Sequence, residues 1–373
     1  MANLTSLTYK LSFLRGLLSC ERAPVGPYYV HVDVTHRCDL KCLCCRWHSP
    51  LMESRRNKGL NDDLPVELLD QFCQDLKALG TKEIYFVGTG EPMLHPQIFD
   101  LVATAKKYGF KLILYTNGLT LDEDAIRRLI DLRVDVLRVS LWGSTPEKFI
   151  EQVGLMTEEK FHRIIDGMAL LSRMKKEFGV DLPFLELCQS VTHHNLDELG
   201  HTLELVKKTG CQKLCFSPIV DFEEDSLSKF LPDESDKEKL REIFTAMKQT
   251  LEERGIIHNV DTMLLHYSWD GRIYDRLPCY PAWYFSYLRT DGSIFACQRN
   301  NYKTTPLGNL RENRFREIWN NEAYRAFRRR VCTPEGLAAD TEYYCDYCSH
   351  SYNSFRVHKR FRFFKPLQKM FVS

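Results

Sequence analysis

The chain has no run of about 18 uncharged apolar residues, which a membrane-crossing helix requires. Its most apolar N-terminal stretch, Leu4 to Leu18, is interrupted by Lys10 and Arg15. A basic start and a small-residue cleavage site are missing, so this stretch does not read as a secretory signal. Net charge is missing too: 51 Lys and Arg stand against 50 Asp and Glu, a formal +1 over 373 residues. That balance argues against a protein built to coat nucleic acid along its whole length. A repeat of fixed period is also absent. What remains is a globular, cytoplasmic protein, long enough for one large domain or a large and a small one.

Cysteine, by contrast, is abundant. There are 14, and in a reducing compartment tightly spaced cysteines are more often metal ligands than disulfides. Charge becomes local only at the end of the chain, where Ser351–Ser373 hold six Lys or Arg and no acid.

Between Tyr28 and Val220, short β-rich runs alternate with amphipathic helical runs. The expected strands are Tyr28–Val34, Glu83–Val87, Lys111–Tyr115, Asp135–Leu141, Phe184–Val191 and Lys213–Phe216. Pro65 and Gly80 bracket an expected helix over Val66–Leu79, and Thr120 with Glu123 suggests a capping box for one ending at Asp131. Pro146 opens a short helix, and a longer one is expected from Thr157 to Phe178. Parallel neighbours need helical crossovers, so the fold class is α/β: a curved (β/α)6 sheet or partial TIM barrel, with a flat doubly wound sheet as the alternative.

After Val220 the alternation stops. Ser235 with Glu238 suggests a cap for a helix to about Arg254, and Asp291-Gly292 signals a hairpin in an aromatic, cysteine-rich stretch. The expected division is an N-terminal extension (1–27), a barrel core (28–225), a linker and helix (226–275), a small cysteine-rich α+β domain (276–350) and a basic aromatic tail (351–373).

Directly after the first strand, Cys38, Cys42 and Cys45 form CxxxCxxC. Three thiolates can hold three irons of a cubane cluster and leave the fourth without a protein ligand. The position suits chemistry, since ligands of such sheets bind at the carboxyl ends of strands. Structural zinc is the alternative, but zinc takes four ligands and usually pairs two knuckles.

With Gly88-Thr89-Gly90-Glu91-Pro92 after the second strand, Thr116-Asn117-Gly118 after the third and Ser140-Leu141-Trp142-Gly143 at the fourth, the sequence resembles the radical S-adenosylmethionine (radical SAM) superfamily. The resemblance spans residues 28–220. It implies that Cys38, Cys42 and Cys45 hold the SAM-binding 4Fe-4S cluster, and that Thr89, Gly90, Glu91, Asn117 and Ser140 approach SAM. Where the family usually has an aromatic residue beside the adenine, just before the third cysteine, this chain has Cys44; Trp47 is the nearest substitute.

A second set, Cys279, Cys297, Cys345 and Cys348, resembles the auxiliary-cluster extension known as the SPASM or shorter twitch domain, with landmarks Asp291-Gly292, Leu307-Gly308-Asn309-Leu310 and Ile318-Trp319. Ser354 and His358 stand where further cysteines would be sought, so one auxiliary 4Fe-4S cluster is expected, with zinc again as the alternative. Cys332 could replace one of the four.

The resemblance implies reductive cleavage of SAM to a 5′-deoxyadenosyl radical, then hydrogen abstraction from a small-molecule or peptide substrate. A fully ligated auxiliary cluster fits electron transfer during net oxidation, by dehydrogenation or crosslinking; the alternatives are a redox-neutral epimerase and a non-catalytic zinc-binding adaptor. An external low-potential electron donor is implied. Only about 27 residues precede the first strand, too few for a leader-binding module, which favours a small molecule. No catalytic residue can be named, and Glu186, His193 and His194 read as structural or SAM-contacting. Both ends are expected to pack on the barrel: Leu4, Leu7, Leu11, Leu14 and Leu18 at helical spacing, and the tail's Phe and Lys/Arg mixture. Peripheral membrane contact is the second reading, and nucleic acid is not an expected partner.

Overall fold

The computed structural model describes residues 7–45, 47–51, 62–219, 225–268, 277–298, 305–338 and 350–361. The strands among them are β1 (Tyr29–Asp33), β2 (Lys41–Cys42), β3 (Glu83–Val87), β4 (Lys111–Thr116), β5 (Val136–Leu141), β6 (Val153–Gly154), β7 (Phe184–Val191), β8 (Lys213–Pro218), β9 (Ile257–His258), β10 (Phe285–Leu288), β11 (Ser293–Phe295) and β12 (Gly308–Asn309). The helices of the first half are α1 (Leu7–Ser19), α2 (Val66–Ala78), α3 (Ile98–Lys107), α4 (Glu123–Asp131), α5 (Pro146–Gln152), α6 (Glu158–Phe178) and α7 (Thr202–Thr209). Those that follow are α8 (Glu234–Glu253), α9 (Val260–Ser268), α10 (Pro281–Tyr284), α11 (Phe315–Ile318), α12 (Glu322–Val331), α13 (Pro334–Ala338) and α14 (Ser351–Phe361).

One ten-stranded sheet organises the molecule, in the order β12-β11-β10-β1-β3-β4-β5-β7-β8-β9. Along the sheet from β1 to β9 every pairing is parallel, and the six crossovers carry α2, α3, α4, α5 with α6, α7 and α8 in turn. This is the expected α/β partial barrel, and its strands are buried because helices cover them. Local signals set several helix starts. Thr145 and Thr157 cap α5 and α6 through bonds from the Lys148 and Lys160 backbone N–H groups.

Two caps differ from expectation. Asp122, not Thr120, caps α4 by accepting from the Ala125 N–H, and Asp233 with Asp236, not Ser235 with Glu238, forms the box at α8. Aspartate serves this position as well as Ser or Thr, and its charge also suits the positive end of the helix.

The region after α9 does not stand apart from the barrel. β10 lies parallel beside β1, with Tyr29 opposite Phe285 and Val32 opposite Leu288. The β10–β11 hairpin expected at Asp291-Gly292 then extends the same sheet antiparallel. Gly292 has φ +88° at this turn, a left-handed conformation that favours glycine. Arg314 forks onto buried Asp75 of α2 (2.9 and 2.7 Å), and Phe315 meets Phe72 edge-on.

Helix α1 turns Phe13 and Leu17 into the core and leaves Leu11 exposed. The chain after it is held by the C-terminal half: Trp283 Nε1 donates to Arg22 O, and Trp319 Nε1 to Val25 O (3.3 and 2.8 Å). Arg328, fully buried, lies over the Trp319 and Tyr324 rings and donates to Ala282 O. No helix among the described residues is long and apolar enough to cross a membrane. Of the tail, only α14 is described; residues 362–373 lie outside.

Candidate functional site

The site begins where β1 ends. Asp33 is fully buried there, accepting from Thr89 N–H (2.8 Å) and Thr89 Oγ1 (3.0 Å) and bonding His36 Nε2 (3.0 Å). The loop from Thr35 to Cys45 is then laced to the glycine turn after β3. Gly90 N–H donates to Thr35 O (3.1 Å) and Glu91 N–H to Arg37 O (2.7 Å). A Cβ on Gly90 would sit 2.2 Å from Arg37 O, so only glycine permits this approach.

Above this lacing lies a cavity of about 580 Å³ at the strand ends and down the barrel interior. Cys38 and Cys42 line it together with Gly90, Glu91, Asn117 and Ser140. Cys45 sits behind them, its N–H donating to Cys42 O (3.0 Å) and its Sγ accepting from His48 N–H (3.4 Å). Thr89 does not line the cavity; its hydroxyl and N–H are spent on Asp33. Cys44 turns away into a small apolar cluster with Leu227 and Phe230. Trp47 does not line the cavity either, whereas Trp142 does.

Electrostatics sharpen the picture. Burial raises all three loop thiols, Cys38 to about 12, and the neighbouring sulfurs push Cys38 and Cys42 further up. Thiols this close and this dry ionise only against a bound cation, which is the condition a metal cluster meets. The three sulfurs are electrostatic neighbours. Three thiolates fall one short of the four that structural zinc takes and suit a cubane cluster with one iron left open.

Glu91 is 3% exposed, and burial raises its carboxyl to about 7. Its oxygens accept from the N–H groups of Met93 (3.0 Å) and Asn117 (2.5 Å), which aims the carboxyl along the rim. Asn117 in turn donates to Asp39 (2.7 Å), tying the third strand's end to the cysteine loop.

The C-terminal half completes the walls. Gln298, next to Cys297, bonds His31 Nδ1 (2.9 Å), and His350 Nδ1 bonds the Tyr29 hydroxyl (2.9 Å). Burial lowers both histidines, to about 3 and about 4, so they stand neutral. Cys279 and Cys297 are half-buried, while Cys345 and Cys348 lie outside the described residues. Cys332 is buried, and its thiol pairs with that of Cys20.

Sequence reasoning did not single out the interior of the barrel. Glu186 belongs there, bonded to Arg138 and Lys213, while His193 meets Asp236 at the surface and His194 packs on Phe230. The signal was present in Val136–Leu141, where Arg138 and Ser140 alternate with Leu137, Val139 and Leu141. A charge on the cavity face of a central strand marks the interior as a working surface.

A parallel partial barrel with a cysteine loop at its strand ends, walled by a second cysteine-bearing region, has the architecture of a radical SAM protein. The family model of the radical SAM superfamily matches residues 32–185, and that of the iron–sulfur cluster-binding SPASM domain matches 279–350. The chain is 24% identical over 316 residues to a tungsten-containing aldehyde ferredoxin oxidoreductase cofactor-modifying protein of Pyrococcus furiosus, covering 80% of this chain and 83% of that one. It is 26% identical over 323 residues to an AdoMet-dependent heme synthase of Methanosarcina barkeri, covering 81% and 85%. Among solved structures, Streptococcus suis SuiB bound to precursor peptide SuiA shares the fold, with TM-score 0.63, 15% identity and 82% and 67% coverage of the two chains. The chain carries a radical SAM domain and, after it, a SPASM domain. Those two domains imply a 4Fe-4S cluster, an auxiliary iron–sulfur cluster and SAM as its cofactors.

Proposed function

We propose that this enzyme abstracts hydrogen from a small-molecule or peptide substrate held in the barrel cavity and completes a net oxidation, by dehydrogenation or crosslinking. The observation that carries the reading is the cavity itself, which reaches from Cys38 and Cys42 past Glu91 and Ser140 to Gln298 beside Cys297. A substrate there touches both halves of the protein.

In this reading Cys38, Cys42 and Cys45 hold the first cluster, and Cys279, Cys297, Cys345 and Cys348 hold the auxiliary one. Residues 28–225 form the SAM-cleaving unit, 226–275 a linker and 276–350 the auxiliary unit, in the cytoplasm and fed by an external low-potential donor. When held there, the clusters and SAM would supply the family's hydrogen-abstracting species, a 5′-deoxyadenosyl radical. The chain's own groups position and seal. Glu91, aimed by the Met93 and Asn117 N–H groups, offers its carboxyl to the amino group of SAM, with Gly90, Asn117 and Ser140 along the rest of it. Thr89 acts through Asp33, holding the turn against the cysteine loop. The aromatic walls, among them Tyr85, Tyr115 and Trp142, keep water from a reactive centre.

Oxidation is favoured over redox-neutral epimerisation by where the thiols lie. Among the described residues Cys38 and Cys42 are the cavity's thiols, while Cys188 and Cys215 sit side by side behind Arg138 and Glu186. The peptide alternative is supported by SuiB, whose fold this chain shares and which is bound to a precursor peptide.

Iron, labile sulfide and zinc per chain after anaerobic reconstitution test the reading. About eight irons with matching sulfide, and 5′-deoxyadenosine on reduction with SAM, are expected. About four irons with one zinc would make the second site structural, and zinc alone would leave the adaptor as the better account.

A further inference from the structure

Where Arg138 lines the cavity, the barrel interior carries a charge imbalance. Arg138 on β5, Glu186 on β7 and Lys213 on β8 are cross-strand neighbours, Arg138 opposite Glu186 and Glu186 opposite Lys213. Arg138 Nε donates to Glu186 Oε2 (2.6 Å), its Nη2 lies 2.5 Å from the same oxygen, and Lys213 Nζ donates to Oε1 (2.8 Å). One carboxylate thus serves two cations. The two other carboxyls on the walls are engaged elsewhere: Glu83 with the Tyr85 hydroxyl and Lys111, Glu91 with backbone N–H groups. His31, the neighbouring imidazole, is neutral.

Of the three charged groups, Arg138 is the one that lines the cavity. Its Nη1 donates to the Tyr115 hydroxyl, and its guanidinium lies 4.7 Å from the centre of that ring, so it is held in place from two sides. Three of five N–H donors are spent, which leaves one on each terminal nitrogen. A fixed guanidinium with two uncommitted donors and one positive charge in excess, on the wall of a cavity, is a receptor for an oxyanion.

We propose that Arg138 is a specificity residue that receives a carboxylate or phosphate group of the substrate, whose body lies along Tyr85 and Tyr115. This rests on the reading of the cavity as the substrate chamber. It narrows the substrate to an anion and anchors it at the barrel interior, away from the cysteine loop.

The test uses the full chain reconstituted with both clusters and SAM, unreduced, and three probes of one shape: benzoate, phenyl phosphate and neutral benzamide. Calorimetric titration is expected to show at least one anion binding tenfold or more tighter than benzamide, and the better anion identifies the group as carboxylate or phosphate. Arg138→Gln is expected to reduce that ratio to about one, and Arg138→Lys, which keeps the charge without the fork, to retain part of it. Equal binding of all three probes to the unaltered enzyme, a comparison that needs no variant to fold, would overturn the assignment. So would an anion preference that survives Arg138→Gln. Failure of the reduced enzyme to form 5′-deoxyadenosine would instead overturn the radical reading and leave the probe result standing.

Discussion

Replacing Asp33 by alanine should cost the fold about 3–5 kcal/mol, far more than a surface substitution. Its carboxylate is completely buried, and it joins three segments distant in sequence: the cysteine loop through His36, the glycine turn through Thr89, and the β10–β11 turn through His36 and Thr290 (3.4 Å). Each hydrogen bond to a charged acceptor contributes about 1.5–3 kcal/mol, and a buried donor left unmatched costs about 1–3. The Thr89 N–H (2.8 Å) and the His36 imidazole (3.0 Å) both lose their partner, and because they share one acceptor the effects do not simply add. Asp33→Asn keeps an acceptor for Thr89 and should cost about 1–2 kcal/mol, while Thr89→Ala, which loses only the hydroxyl, should cost about 1. Anaerobic urea denaturation of the full chain, followed by circular dichroism, gives these values from the midpoints. A loss below about 1 kcal/mol for Asp33→Ala would refute the reasoning, as would a double-mutant cycle showing no coupling between Asp33 and Thr89.

Other outcomes are equally specific. The triple variant Cys38→Ala, Cys42→Ala, Cys45→Ala should lose about four irons per chain and all 5′-deoxyadenosine formation; chromatographic detection of retained cleavage would sink the first-site assignment. His193 is raised above its ordinary value, mainly by its hydrogen bond to Asp236. A raised histidine stabilises the fold fully below about pH 6.5, and that contribution fades as pH rises through the folded value; being exposed, the effect is small. Proton NMR should find the His193 midpoint above about 6.5 and shifted down in Asp236→Asn, and an unshifted midpoint would contradict the pair. Arg314→Ala should cost about 2–3 kcal/mol in urea, because Asp75, 2% exposed, keeps only Arg316 at 3.8 Å; no measurable loss would mean that this contact does not dock the C-terminal half.

Much of the barrel is legible in local pattern. β3 and β7 begin and end at the expected residues, and Thr145 and Thr157 start α5 and α6, because short apolar runs and caps are local signals. The starts at Asp122 and Asp233 each lie two residues from the expected cap for a simple reason: Ser/Thr three residues before Glu occurs by chance, and the competing aspartates offer an equal acceptor. Cys38, Cys42, Gly90, Glu91, Asn117 and Ser140 are indeed brought to one cavity. Thr89 was not separable from its neighbours, since its role depends on Asp33, 56 residues earlier. Nor could the sequence show that Phe285–Leu288 would pair with Tyr29–Asp33, because strands some 250 residues apart carry no mutual signal in their residue types.

That last pairing decides how separable the two halves are. β1 has β3 on one side and β10 on the other, with Tyr29 through Val32 all in register with Phe285 through Leu288. Truncation at residue 276 would leave one side of β1 without ladder partners. It would also strip Tyr284 and Phe285 from Tyr29, with which they now lie at 5.9 and 5.2 Å between ring centres. A long, apolar, unpaired edge recruits other chains. The removed half also supplies the carbonyl that receives Tyr28 N–H (2.8 Å), and the hydrogen bonds that hold the chain after α1 at Arg22 and Val25. A 1–276 fragment should therefore aggregate on sedimentation and show no cooperative unfolding transition. A monomeric, cooperatively folding fragment would show that the barrel stands without β10, and the C-terminal region would then be an attachment and not part of the frame.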